Sequence, residues 1–392
     1  STIISTPTSP TSMLSNSISS SITTTSSSTS ALSNTISSIT FTTITSSATT
    51  TTTVIPKWTI TGSMNVARRT HTASELANEL VLVTGGHNSG GNLSSTELYN
   101  LSTGTWAITG NMNVVRQRHT ASTLANGLVL VAGGSSSLFN ILNSAELYNP
   151  STGTWTNTGS MNIARRTHTA SILENGLVLV TGGSSTLINV LNSAELYNPL
   201  TGNWTNTGSM NNGRSYHTAV TLANGLVLVA GGFTGASYLN STELYNPTLG
   251  TWTNTGSMNN GRSFHTASIL ANGLVLVTGG QTTGNVILNS AELYNPMTGI
   301  WTNTGSMNVA RYDHTAATLA NGYVLVIGGQ TTGSVVLNSA ELYNPSTGIW
   351  TTTTNMSIAR EYPTASTLPN GKVLVTGGES SDGVYLNSAE LY

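Results

Sequence analysis

The chain has 392 residues, with 12 Lys or Arg against 14 Asp or Glu for a formal charge of −2, and only 7% of residues are charged, against about 25% in an ordinary soluble domain. It has no basic block, so it lacks the electrostatic footprint of nucleic-acid or anionic-membrane binding. The absence of Cys excludes disulfides, thiolate metal sites and thiol nucleophiles, and no apolar run reaches the roughly 18 residues that a spanning helix needs.

The first segment, residues 1–56, is a low-complexity tract. Of its first 53 residues 36 are Ser or Thr, and the first charge in the chain is Lys57, just after Pro56. Dense short hydroxyl side chains cannot bury a core but can carry sugars. The expectation is an O-glycosylated stalk or assembly arm, with Thr23, Thr24, Thr25, Thr49, Thr50 and Thr51 among the candidate carriers. The alternative is a bare linker. Recurring Ile36, Ile39, Phe41 and Ile44 favour extended, β-prone backbone. A start at Ser1 without an initiator Met is expected of a processed chain or a fragment.

Residues 57–392 repeat. Trp recurs at Trp58, Trp106, Trp155, Trp204, Trp252, Trp301 and Trp350, in steps of 48 or 49. A Gly-Gly pair keeps the same beat from Gly85-Gly86 to Gly377-Gly378, and so does Glu-Leu-Tyr, from Tyr99 to Tyr392. Within the third unit, residues 165–173 predict an inner strand and residues 177–181 a second, fully apolar one, with Asn175-Gly176 turning between them. Residues 193–197 predict a third strand, and Asn198-Pro199 opens the turn into a fourth around Trp204. Helical spacing is absent throughout. Four-stranded antiparallel units at this period predict an all-β, seven-bladed β-propeller, because radial repetition protects sheet edges that a lone blade would leave open.

The unit resembles the kelch repeat: a Gly-Gly pair ends the second strand, a Tyr and then a Trp follow, and an Arg precedes the first strand. The resemblance covers residues 57–392 in seven copies. Copper oxidases that resemble kelch propellers depend on a cysteine-modified tyrosine, which a chain without Cys cannot form. Intracellular kelch adaptors of ubiquitin ligases carry helical dimerisation domains before the propeller, whereas here the Ser/Thr tract stands in that place.

The seventh unit has three strands, from about Arg360 to Tyr392, and lacks a fourth. The segment around Trp58 is expected to supply it and close the ring, either its own or, in an assembly, a neighbour's.

Arg-x-x-His recurs from Arg68/His71 to Arg311/His314, with Pro363 replacing the seventh His. Six histidines on a sevenfold ring are too spread to converge on one metal at about 2.0–2.3 Å, so they are expected to be structural, with no metal or other cofactor. One Arg and one Glu per unit are expected to form semi-buried ion pairs or caps that link neighbouring blades. Seven equal glutamates give no asymmetric catalytic pair, so no catalytic residue is assigned.

Individual function is expected where repeats differ. The loops after the second strands carry Phe139, Ile188, Phe233 and Tyr238 as candidate contact residues. Sequons stand at Asn92, Asn100, Asn203, Asn240 and Asn355 as candidate N-glycosylation sites. Together with the arm they suggest an extracellular, non-enzymatic structural, adhesion or filament-forming protein. Its partners would be proteins or glycans, or other copies joined through the arm. The alternative is a lectin or enzyme with an asymmetric pocket at one channel mouth, for which Arg69, Arg118, Arg166 and Asp313 are the candidate polar set.

Overall fold

The computed structural model describes residues 57–392; the expected stalk and its candidate sugar carriers lie outside the described residues. Seven four-stranded antiparallel sheets are arranged with their first strands neighbouring one another in a closed cycle around a central channel. Blade one comprises Thr72–Glu75, Leu80–Thr84, Thr96–Asn100 and Thr105–Ile108, and the others follow the same plan. Two single 3₁₀ turns, Thr283–Asn285 and Thr332–Ser334, are the helical segments among the described residues.

The second strand of each blade is the apolar one because it is covered on both faces. Val178–Thr181 is buried along its whole length. Its side chains pack in clusters shared between adjacent blades: Leu130, Ala132 and Ala145 of blade two meet Met161, Val178, Val180, Tyr197 and Trp204 of blade three. The core therefore lies between blades rather than within one. Tyr197 and Trp204 stand opposite each other in register, with ring centroids 5.1 Å apart. Their polar tips are tied down. The Tyr197 hydroxyl lies 2.8 Å from Thr158 Oγ1 of the preceding blade, and Trp204 Nε1 donates to Gly159 O at 2.8 Å.

The Gly-Gly pair has a specific cause. Gly182 has φ +63°, and a Cβ there would stand 2.5 Å from the Arg214 carbonyl of the next blade. That carbonyl accepts the Gly183 amide at 2.9 Å. Only glycine permits both the positive φ and the close approach.

Closure follows expectation. Thr59–Ile60 pairs antiparallel with the chain's own Ala389–Leu391, Thr59 opposite Leu391 and Ile60 opposite Glu390. Trp58 packs on Tyr392 at 5.0 Å, and its Nε1 donates to Thr354 O at 2.7 Å. The inner strands are shorter than the sequence pattern implies. In unit three the strand is Thr169–Ile172, not residues 165–173, because Thr167 adopts φ 54° and breaks the extended run. That break builds the mouth of the channel.

Candidate functional site at the channel mouth

The repeated charges are scaffold. Arg165 is fully buried; its Nη1 donates to Gly182 O at 2.9 Å and Ser193 O at 3.1 Å, and its Nη2 to Glu195 Oε1 at 2.7 Å. Glu195 in turn accepts the amides of Asn162, at 2.6 Å, and Ile163, at 3.1 Å. The same pair recurs in all seven blades. This corrects the expected role: the pairs are fully rather than partly buried. Each also lies within one blade, fastening the incoming linker to the third strand, so it does not bridge neighbours.

The histidines do the bridging. His168 Nε2 meets Thr120 Oγ1 of blade two at 3.0 Å, and His119 meets Thr72 of blade one at the same distance. Burial, with the nearby Arg adding to it, holds His119, His217 and His314 down to about 3, so they stay neutral.

Between each Arg and the following His, or Pro363 in blade seven, lie two positions that vary from blade to blade. The residue two after the Arg is Thr70, Arg118, Thr167, Tyr216, Phe264, Asp313 and Tyr362 in successive blades. All seven adopt left-handed backbone, with φ from 51° to 56°. Their backbones join into a chain of hydrogen bonds around the axis: Arg118 N donates to Thr70 O at 3.1 Å, and so on to Tyr362 N on Asp313 O at 3.0 Å. Six such bonds link the seven backbones in order from blade one to blade seven at the end of the channel where the inner strands begin, and five different types of side chain stand on them.

Those side chains divide by chemistry. Arg69, Arg118 and Arg166, from blades one to three, line one concavity of about 450 Å³ together with Gln117, Asn92 and Leu138. Burial and the proximity of Arg118 draw the Arg166 guanidinium down, while Tyr216 opposes them. Arg118 Nη1 donates to the Tyr216 hydroxyl at 2.9 Å. Tyr216 packs on Phe264 with centroids 4.0 Å apart, and Phe264 meets Tyr312 edge-on at 6.2 Å. On blade seven, Glu379 pairs with Arg69, which also lies over the Tyr362 and Tyr385 rings. Asp313 Oδ2 is buried without a hydrogen-bond partner. Its carboxyl is pushed up to about 7, chiefly by burial and also by Glu361, against the Tyr362 hydrogen bond and the charges of Arg118 and Arg69.

The structure thus gathers Arg69, Arg118 and Arg166 and sets Asp313 within electrostatic range of two of them. Phe139 and Ile188, in the loops after the second strands of blades two and three, are 78% and 88% exposed. Phe233 and Tyr238 instead stack on each other at 5.0 Å within one loop. Of the sequons, Asn203 and Asn355 are exposed. Asn92 sits in the concavity and donates to Ser135 O at 2.9 Å, Asn240 donates to Met258 O at 3.1 Å, and the Asn100 side chain caps a turn through the Ser102 amide. Tyr216, Phe264 and Tyr362 do not stand out in the sequence because the repeated Arg and His on either side carry the stronger periodic signal. The signal was the variation at the two positions between them.

Residues 119–308 match the KLHDC2/KLHL20/DRC7 Kelch-repeats domain, and residues 68–113 and 310–357 match the Kelch motif. The chain belongs to the kelch-repeat β-propellers. No curated protein matches it. Among solved structures, a fungal alcohol oxidase of the AA5 family, in complex with copper, aligns with a TM-score of 0.71 over 86% of this chain and 76% of its own, at 19% identity. That likeness is one of fold. The donor set here does not fit a copper centre: among the described residues no three His, Cys, Asp or Glu side chains converge, and the buried histidines already face threonine hydroxyls.

Proposed function

We propose that the propeller is a non-enzymatic binding module that takes a protein partner on this mouth, seating an acidic group of the partner among Arg69, Arg118 and Arg166. One observation carries the reading: three arginines that the repeat does not require share a single concavity. Leu138 lines the same concavity and its chain neighbour Phe139 is exposed, so apolar anchoring adjoins the charged pocket. Kelch propellers as a class bind proteins, which supports a protein partner. The hydroxyl-rich arm and the exposed sequons at Asn203 and Asn355 favour display outside the cell, in an adhesive or filament-forming role.

A pull-down with the full chain, compared with Arg118→Ala/Arg166→Ala, tests it. Partners captured by the parent should be lost by the double variant and should be released by salt. Capture that is indifferent to both changes would defeat the reading. A carbohydrate ligand is the second reading, favoured by the adjoining rings of Tyr216 and Phe264. Retention on immobilised glycans that is abolished by Tyr216→Ala would support it over a protein partner.

A further inference from the structure

The left-handed ring has an energetic oddity. Elsewhere the chain fills positive-φ positions mainly with glycine, as at Gly85, Gly86, Gly104 and Gly127, whereas at the mouth every blade keeps a side chain at φ above 50°. A non-glycine residue there is strained relative to right-handed backbone. Glycine would remove that strain and leave the amide-to-carbonyl chain around the axis intact. The side chains are retained at seven strained positions and differ between blades that are otherwise near copies. They therefore do something that the backbone ring does not require.

Their arrangement states what. Arg118 faces the arginine concavity, Phe264 and Tyr216 form an aromatic shelf, and Asp313 holds a buried carboxylate oxygen without a hydrogen-bond partner. Groups facing Asp313 come from four blades: Tyr362 and Glu361 of blade seven, Arg118 of blade two, Arg69 of blade one and the adjoining Tyr312 of its own blade. We propose that this ring is the selectivity filter of the mouth, reading one inserted peptide segment that carries an acidic residue for Arg118, an apolar residue for the Tyr216/Phe264 shelf and a basic, N–H-donating residue for Asp313. The inference rests on the partner-binding reading above and adds the composition of the inserted segment.

The test is selection of short random linear peptides against the full chain and against Arg118→Gln, Phe264→Gly and Asp313→Asn. The parent should enrich peptides with an acid and a base at fixed spacing around an apolar residue. Each variant should lose one of these three requirements, bind the parent's selected peptide about tenfold or more weakly, and melt within a few degrees of the parent. Binding of that peptide to the parent should weaken as pH falls through about 7, because Asp313 then takes up a proton, and Asp313→Asn should flatten that dependence. Enrichment of acid-only peptides, unchanged by Phe264→Gly and Asp313→Asn, would overturn the filter while leaving the arginine pocket standing. Peptides with no acidic preference would overturn the pocket as well. A large fall in melting temperature for Phe264→Gly with unaltered selection would show the ring to be packing alone.

Discussion

Arg118 of blade two donates from Nη1 to the hydroxyl of Tyr216 on blade four, 2.9 Å away, over the blade between them. Among the described residues, side chains of non-adjacent blades come together this way only at the mouth, because the seven inner strands converge there. The contact couples the cationic and aromatic sides of the site. Tyr216→Phe should leave the fold in place, costing about 1 kcal/mol or less, yet free the Arg118 side chain. Equilibrium urea unfolding measures the first, and a shift in the salt dependence of partner binding the second.

The buried ion pairs should behave as interchangeable scaffold. Glu195→Ala leaves the Arg165 guanidinium uncompensated and two linker amides unpaired, so a loss of about 3–5 kcal/mol is expected. The equivalent change at Glu243 or Glu292 should cost the same to within about 1 kcal/mol, since the geometry repeats. Unequal losses in a urea series would mean that the blades are not equivalent supports.

Two glycines with similar φ should separate backbone strain from blade contact. At Gly176, φ is +80° and a Cβ would meet nothing, so Gly176→Ala should cost only the strain, about 1–2 kcal/mol. At Gly182 the added Cβ would press on Arg214 O, so Gly182→Ala should cost several times more or prevent folding. Thermal unfolding of the two variants side by side decides it.

Acid should unfold the ring. The six buried histidines are held well below 6.5 in the fold, so the unfolded chain binds more protons as pH falls below that value. Stability is then full above about pH 6.5 and declines below it, by up to about 1.4 kcal/mol per pH unit for each histidine. Asp313, raised to about 7, acts in the opposite sense, but as one group against six. The melting temperature should drop steeply from pH 7 towards pH 4, and less steeply in a His217→Gln variant that still folds.

The architecture was legible because each blade needs the same answer seven times, and repetition turns faint strand signals into a strong one. Trp58 could be matched to a blade lacking its last strand because the Trp series begins one step early. The Arg/Glu geometry was not legible: spacing along the chain does not say whether Arg165 reaches Glu195 in its own sheet or a residue of the next one. The left-handed ring was hidden for a different reason. Thr167, Tyr216 and Phe264 are ordinary strand formers by composition, and only the close packing of blades around the axis forces them to turn. Arg69, Arg118, Arg166 and Asp313 could be singled out as breaks in the repeat, but their gathering at one mouth depends on that same turn.

Blade seven is completed by Thr59 pairing with Leu391 across 332 positions of chain. During synthesis on the ribosome, the earliest strand of the ring must wait for Ala389–Leu391 to emerge before it has a partner. Until then the nascent propeller is an open arc with two unpaired borders, and loss of the Ala389–Leu391 strand would leave it permanently in that state.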